Sequence, residues 1–246
     1  MDPEQKIEIL STIALSEDQL KNIQNLDERI KVDVYKYKEM NKISDDAWRK
    51  TEILLTYGPN LPDVEKVPNL RWIQSSWAGV EKLLDDPLLN QETVEVTSSS
   101  GANVSQMGEY VVMMLLMLGH KMPMMLQAQR EKRWIEDKFT SLQPKELRGS
   151  TVGIVGYGSI GREVARQLYA YGAKVLASKR DAMHPEDKGY IPEGLGDPYG
   201  NYFDRLYPME GLRGMLEECD FVVVTLPHTK STECLFVKET FDYMKP

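Results

Sequence analysis

Residues 152–180 read Val-Gly-Ile-Val-Gly-Tyr-Gly-Ser-Ile-Gly-Arg-Glu-Val-Ala-Arg-Gln-Leu-Tyr-Ala-Tyr-Gly-Ala-Lys-Val-Leu-Ala-Ser-Lys-Arg. An apolar run (Val152, Ile154, Val155) leads into Gly156-x-Gly158-x-x-Gly161. A helical pattern follows at Val164, Ala165 and Leu168, then a second apolar run at Val175, Leu176 and Ala177. Strand, glycine turn, helix, strand is the setting in which this triplet signals dinucleotide binding rather than a stray turn. Gly156 permits the tight turn, Gly158 lets backbone approach a pyrophosphate, and Gly161 lets helix and strand pack closely. N–H groups at the helix start then face the phosphates, and the helix dipole favours their charge.

The end of the second run says which dinucleotide. An NAD-preferring site usually sets a carboxylate about 20 residues on, where it bonds the ribose 2′-hydroxyl. Here that position is Lys179, between Ser178 and Arg180. A carboxylate repels a 2′-phosphate, whereas two cations and a hydroxyl pair with it, the arginine bidentately. The three residues favour NADP(H) over NAD(H), against the plainer reading of a charged loop after a strand.

The chain has 246 residues, 41% of them apolar, enough for one large domain or two small ones. A net charge of −8 with no basic tract argues against a nucleic-acid partner. The longest apolar stretch, 111–118, is too short to span a bilayer. The opening Met-Asp-Pro-Glu-Gln-Lys lacks the basic-then-apolar layout of a secretion signal, so no membrane partner is expected. Cys219 and Cys234 have no metal-ligand spacing, and no metal is expected. Free thiols in a reducing cytosol are the simple reading, placing the protein in the cytoplasm.

The first hundred residues alternate between two patterns. Segments 7–15, 53–57, 70–76 and 94–98 read as strands, and Ile30, Val32 and Val34 alternate with polar residues as a strand does. Ser16 caps a helix to residue 26, with Glu17 and Asp18 suiting its first turn, and Ser44-Asp45-Asp46 opens a short one. Strands separated by helices imply parallel βαβ units and a small open α/β domain. Next comes a long helix with Ser105 as its cap, its apolar positions Met107, Val111, Met114, Leu115 and Leu118 spaced by threes and fours. Pro123 kinks or restarts it. Its methionines (Met113, Met114, Met117, Met122, Met124, Met125) read equally as core filling and as a dimerisation face. Residues 181–209 are rich in Gly, Pro and Tyr and read as one long loop, functional or mobile. Segment 211–219 reads as a short helix and 221–225 as a buried strand.

Several segments together resemble the D-isomer-specific 2-hydroxyacid dehydrogenase family over nearly the whole length. They are Trp77-Ala78-Gly79-Val80, Gly101-Ala102-Asn103-Val104 followed by Glu109, Leu147-Arg148-Gly149-Ser150-Thr151-Val152-Gly153, and Asp220 to Pro227 with Thr229 and Thr232. The resemblance implies an α/β protein in which a flavodoxin-like substrate domain, 1–102, precedes a Rossmann NAD(P)-binding domain, 103–246. A small carboxylate substrate would lie in a cleft between them, held by the N–H groups of Ala78, Gly79 and Val80, with Trp77 beside them. A glycine turn exposes donors that favour an anion. The cofactor would meet Gly156, Tyr157, Gly158, Ser159, Ile160 and Gly161 at its pyrophosphate and Ser178, Lys179 and Arg180 at its 2′-phosphate. Val104 would touch the nicotinamide, and Thr225, Leu226, Pro227, His228 and Thr232 would line the ribose side. The methionine-rich helix makes a homodimer the expected assembly.

The family's chemistry rests on an Arg that binds the 2-oxo acid and a His, held by a Glu, that exchanges the hydroxyl proton. All three follow a strand expected after Met244-Lys245-Pro246, so the second domain reads as incomplete and no catalytic residue is assigned. His228 reads as a loop residue beside the ribose, and His120 as a surface residue of the long helix. His184 reads as a candidate for the 2′-phosphate, Glu109 as a structural group, and Arg130 and Arg133 as a solvated face. Three readings follow: an NADP(H)-preferring dehydrogenase acting on a glyoxylate- or hydroxypyruvate-like acid, a non-catalytic NADP(H)-binding sensor or scaffold, and a remnant whose 221–225 strand edge invites association.

Overall fold

The computed structural model describes residues 5–58 and 60–245. The chain divides into two compact units, 1–100 and 101–246.

In the first unit five strands form one parallel sheet: β1 (Ile7–Ser11), β2 (Ile30–Val34), β3 (Ile53–Thr56), β4 (Trp72–Ser75) and β5 (Glu95–Thr97). Their order is β2-β1-β3-β4-β5, the flavodoxin-like arrangement. α1 (Glu17–Gln24) starts on a capping box: the Ser16 hydroxyl accepts from the Gln19 N–H and the Gln19 side chain accepts from the Ser16 N–H. α2 (Asp45–Lys50) is capped by Ser44. The core behind the sheet joins Leu10, Leu54 and Ile73 to Trp48 of α2 and to Leu70 and Leu88. β1 is shorter than the apolar run 7–15 suggests: it ends at Ser11, and the buried Thr12 just beyond it donates its N–H to the Leu55 carbonyl (2.8 Å) and its hydroxyl to Thr56 (3.0 Å).

The second unit opens with α3 (Val104–Gly119) and α4 (Met122–Arg130), bent by 70° at the break Pro123 predicts. Asn103, not Ser105, occupies the N-cap of α3, and His120 sits just past its end as the C-cap. Among the described residues no single helix is long and apolar enough to cross a membrane. A short α5 (Lys138–Ser141) precedes β6 (Thr151–Val155), α6 (Ser159–Ala170) and β7 (Lys174–Ser178). β8 (Arg205–Tyr207), α7 (Leu212–Glu218), β9 (Phe221–Val224) and α8 (Lys238–Phe241) complete the unit. The sheet runs β8-β7-β6-β9, all parallel. One face packs on α3 and α6 through Leu115, Val164 and Leu168, the other on α7 through Met215 and Leu216. β8 lies within the stretch read as one loop. Three residues are too few to show a period, and what fixes them is pairing with β7.

Candidate functional site

β6 delivers the chain into the glycine turn, and each glycine has a distinct physical reason. Gly156 has φ +103°, a conformation that side chains disfavour. At Gly161 a Cβ would collide with the Gly156 carbonyl oxygen, so helix and turn meet there without room for a methyl group. At Gly158 a Cβ would meet nothing within 4 Å: the protein leaves this side open. The turn is held from both flanks. The Ser178 carbonyl accepts from the N–H groups of Gly156 (3.1 Å) and Tyr157 (3.0 Å), and the Thr225 hydroxyl donates to the Gly156 carbonyl at 2.7 Å. No protein acceptor among the described residues takes the N–H groups of Ser159 and Ile160, which open α6. Such groups at a helix start are suited to an anion.

In front of the turn lies a groove of about 510 Å³, lined by Gly156, Tyr157, Gly158, Lys179, Arg180, Asp181, Met209, Leu226, Pro227, Ser231, Thr232 and Leu235. Eight of the residues singled out in the sequence thus share one wall. Ser178 differs from its expectation. It is fully buried within β7 with its hydroxyl unpartnered among the described residues, and it serves the turn through its carbonyl. Lys179 lines the groove, yet its ammonium donates to the carbonyls of His184 (2.6 Å) and Glu186 (3.2 Å). Arg180 is exposed and makes no ion pair among the described residues. Asp181, which the sequence reading passed over, pairs with His184 Nδ1 at 2.7 Å. That contact lowers the Asp181 pKa and raises that of His184. Thr232 receives the Thr229 N–H at 2.9 Å and donates to the Pro227 carbonyl at 2.6 Å, fixing the loop after β9. His228 and Glu109 are exposed, and Val104 is buried at the start of α3.

A buried polar cluster behind the groove was not legible in the sequence. Tyr157 is 2% exposed and Asp197 1%. The Tyr157 hydroxyl donates to the Asp197 carboxylate, which also accepts the N–H groups of Asn201 (2.7 Å) and Tyr202 (3.0 Å). Arg162, buried on α6, donates to the carbonyls of Asp197 and Pro185 and stacks over the Tyr157 ring at 4.7 Å. Its neighbour Glu163 accepts from Arg166, Gln167 and the Gly196 N–H. Burial alone would raise the Glu163 pKa, but these donors outweigh it and hold it down. Buried charges need such partners. Together they fasten the 185–202 stretch to the first turns of α6.

In the first unit, the turn after β4 presents the N–H groups of Ala78, Gly79 and Val80, and none has a protein acceptor among the described residues. The Glu81 carboxylate lies against this turn: a Cβ at Gly79 would collide with it. Among the described residues no group of His, Cys, Asp and Glu is arranged to hold a metal ion.

A parallel α/β unit with a glycine turn between strand and helix, and a groove along its strand ends, is a dinucleotide-binding fold. The model of the D-isomer specific 2-hydroxyacid dehydrogenase NAD-binding domain matches residues 112–246, and the chain belongs to that family. A hydroxypyruvate reductase of Thermotoga maritima is 28% identical over 182 residues, covering 74% of this chain and 52% of the relative. A family member of known structure from Aeromonas salmonicida superposes with a TM-score of 0.72 at 25% identity, covering 99% of this chain and 70% of that one. The NADPH-dependent glyoxylate/hydroxypyruvate reductase of Sinorhizobium meliloti, solved with NADP and sulfate, shares the fold. Its TM-score is 0.69 at 22% identity, over 97% of this chain and 68% of that one. The chain spans about a third to a half of the length of the curated relatives it matches.

Proposed function

We propose that the protein binds NADP(H) in the groove of the second unit and a small carboxylate on the 78–80 turn. The whole protein would transfer hydride between the nicotinamide and a 2-hydroxy or 2-oxo acid, with glyoxylate and hydroxypyruvate the first candidates. The observation that carries this reading is the open side of Gly158 next in sequence to the N–H groups of Ser159 and Ile160, which no acceptor among the described residues takes, with Arg180 lining the same groove and without an ion pair among those residues. The pyrophosphate would lie over Gly158 on those two N–H groups, where no side chain competes. Met209, Leu226 and Leu235 supply apolar surface of the kind an adenine ring covers. Arg180 would take the 2′-phosphate bidentately, and Lys179 would hold the loop beside it while adding positive charge. The NADP in the Sinorhizobium reductase is in keeping with that choice. The nicotinamide supplies the hydride when bound. The exposed apolar side chains of α3 and α4 (Met107, Tyr110, Met113, Leu118, Met124) support a homodimer through that face. Cys219 and Cys234 are unpaired, in keeping with a reducing cytoplasm.

Titration of NADPH and NADH, followed by nucleotide fluorescence, tests the reading. NADPH is expected to bind at least about tenfold more tightly, which is 1.4 kcal/mol. A tenfold preference for NADH overturns the assignment of Lys179 and Arg180, and binding of neither overturns the groove.

A further inference from the structure

Three aromatic residues gather at the carboxyl ends of β2, β3 and β4, and of these only Trp77 is among the residues expected at the substrate. Tyr37 follows β2, Tyr57 follows β3 and Trp77 follows β4. The Tyr57 ring stands edge-on to both others, its centroid 6.3 Å from Tyr37 and 5.8 Å from Trp77, with interplanar angles of 84° and 88°. Tyr57 is 53% exposed, and Tyr37 and Trp77 are half-buried. The sheet's core is already filled by Leu10, Leu54, Ile73 and Trp48 on other positions, so packing does not require these rings. Between them runs Gly58 at φ +98°, where a Cβ would sit 3.4 Å from the Tyr37 hydroxyl and 3.5 Å from the Trp77 ring.

The chemistry beside the rings is polar and carries both signs of charge, with the Glu81 carboxylate against Gly79 and a lysine beside Trp77. Trp77 leads directly into the 78–80 turn with its unclaimed N–H groups. The Lys82 ammonium lies 5.3 Å from the centre of the Trp77 ring. Anion donors, a cation and an open aromatic wall thus adjoin within one unit, at the strand ends where open parallel sheets bind ligands. Glyoxylate has no side chain, and the hydroxymethyl of hydroxypyruvate has little apolar surface; neither would use the wall.

We propose that the first unit selects a 2-oxo or 2-hydroxy acid bearing an aryl side chain, its carboxylate on the 78–80 turn and its ring against Tyr57 and Trp77. The proposal rests on the carboxylate reading of that turn and puts an aryl acid ahead of glyoxylate and hydroxypyruvate as its substrate. Aryl surface leaves water and meets ring edges and faces, a gain that a methyl group cannot match.

Calorimetric titration of the protein with D-3-phenyllactate and D-lactate separates the two claims. Phenyllactate is expected to bind roughly tenfold more tightly than lactate. In Tyr57→Ala, whose exposed side chain is removable without opening the core, that advantage should largely vanish while lactate affinity stays constant. Melting of the variant followed by circular dichroism verifies its fold. Equal affinities for both acids in the native protein would overturn the aryl proposal and leave the turn intact. A preference unchanged by Tyr57→Ala would overturn it as well. Binding of neither acid would remove the carboxylate reading and the proposal with it.

Discussion

The Tyr157 hydroxyl donates to the Asp197 carboxylate across 2.5 Å, tying the second residue of the glycine turn to a residue 40 positions further on. Burial and the adjacent carboxylate push the Tyr157 pKa up, so the phenol remains the donor. Tyr157→Phe leaves a buried carboxylate one donor short, which costs about 1–3 kcal/mol. Asp197→Ala strands the phenol and two backbone N–H groups and should cost more. Urea denaturation of both variants checks the order, and NADPH affinity should fall in the same order because the turn loses its support.

Gly158→Ala and Gly161→Ala separate binding from folding. The first adds a methyl group that meets nothing within 4 Å of protein, so denaturation should shift by no more than about 1 kcal/mol. The same methyl group would occupy the approach proposed for the pyrophosphate, and nucleotide binding should be lost. The second drives a methyl group into the Gly156 carbonyl and should lower the melting temperature. If Gly158→Ala binds NADPH normally, the phosphates do not lie there.

Arg180→Ala should weaken NADPH more than NADH, because only the former carries the 2′-phosphate. Asp181→Asn should do the opposite and raise the NADPH preference several-fold, since it removes a negative charge from the groove. The ratio of the two dissociation constants is the readout, and both shifts should shrink in high salt.

Glu81→Gln should strengthen carboxylate binding at the 78–80 turn. Its charge lies against Gly79 and opposes an incoming anion. In water-like surroundings a unit charge a few ångströms away is worth about 1 kcal/mol, so lactate affinity should rise about fivefold by calorimetry.

Asp220 gives the fold an acid limit. Burial alone would raise its pKa, but the Thr151 N–H (2.8 Å) and the ammonium groups of Lys145 (2.9 Å) and Lys245 (3.2 Å) outweigh it and bring it from 3.8 to about 2. A carboxylate depressed in the folded state stabilises above its unfolded pKa, and that stability drains away as pH falls from about 4 to about 2. Denaturation midpoints should drop across that window in the native protein and much less in Asp220→Asn.

The glycine turn and its two strands were legible because apolar period, turn residues and helix start all coincide within 152–180. The first sheet was legible for the same reason, its caps at Ser16 and Ser44 marking where helices begin. The Tyr157–Asp197 cluster was not. Asp197 lies in a stretch without periodicity, and Arg162 and Glu163 carry charges that local reading places in solvent. Long-range partners alone bury them. Ser178 was misplaced for a related reason: a hydroxyl next to two cations suggests a phosphate ligand, but as the last residue of β7 it is held inside the sheet. Asp181 follows two cations, Lys179 and Arg180, and nothing local marks a carboxylate there as part of the groove.

The excursion at 185–202 is fastened to α6 through Arg162, Glu163 and Tyr157, the same helix and turn that would receive the pyrophosphate. Docking of this segment and occupancy of the groove are therefore thermodynamically linked. A nucleotide that binds only the assembled turn should slow hydrogen exchange at the amides of Gly196, Asn201 and Tyr202, though none of the three lines the groove. By the reciprocity of linkage, a clip in the excursion would register first as lost nucleotide affinity.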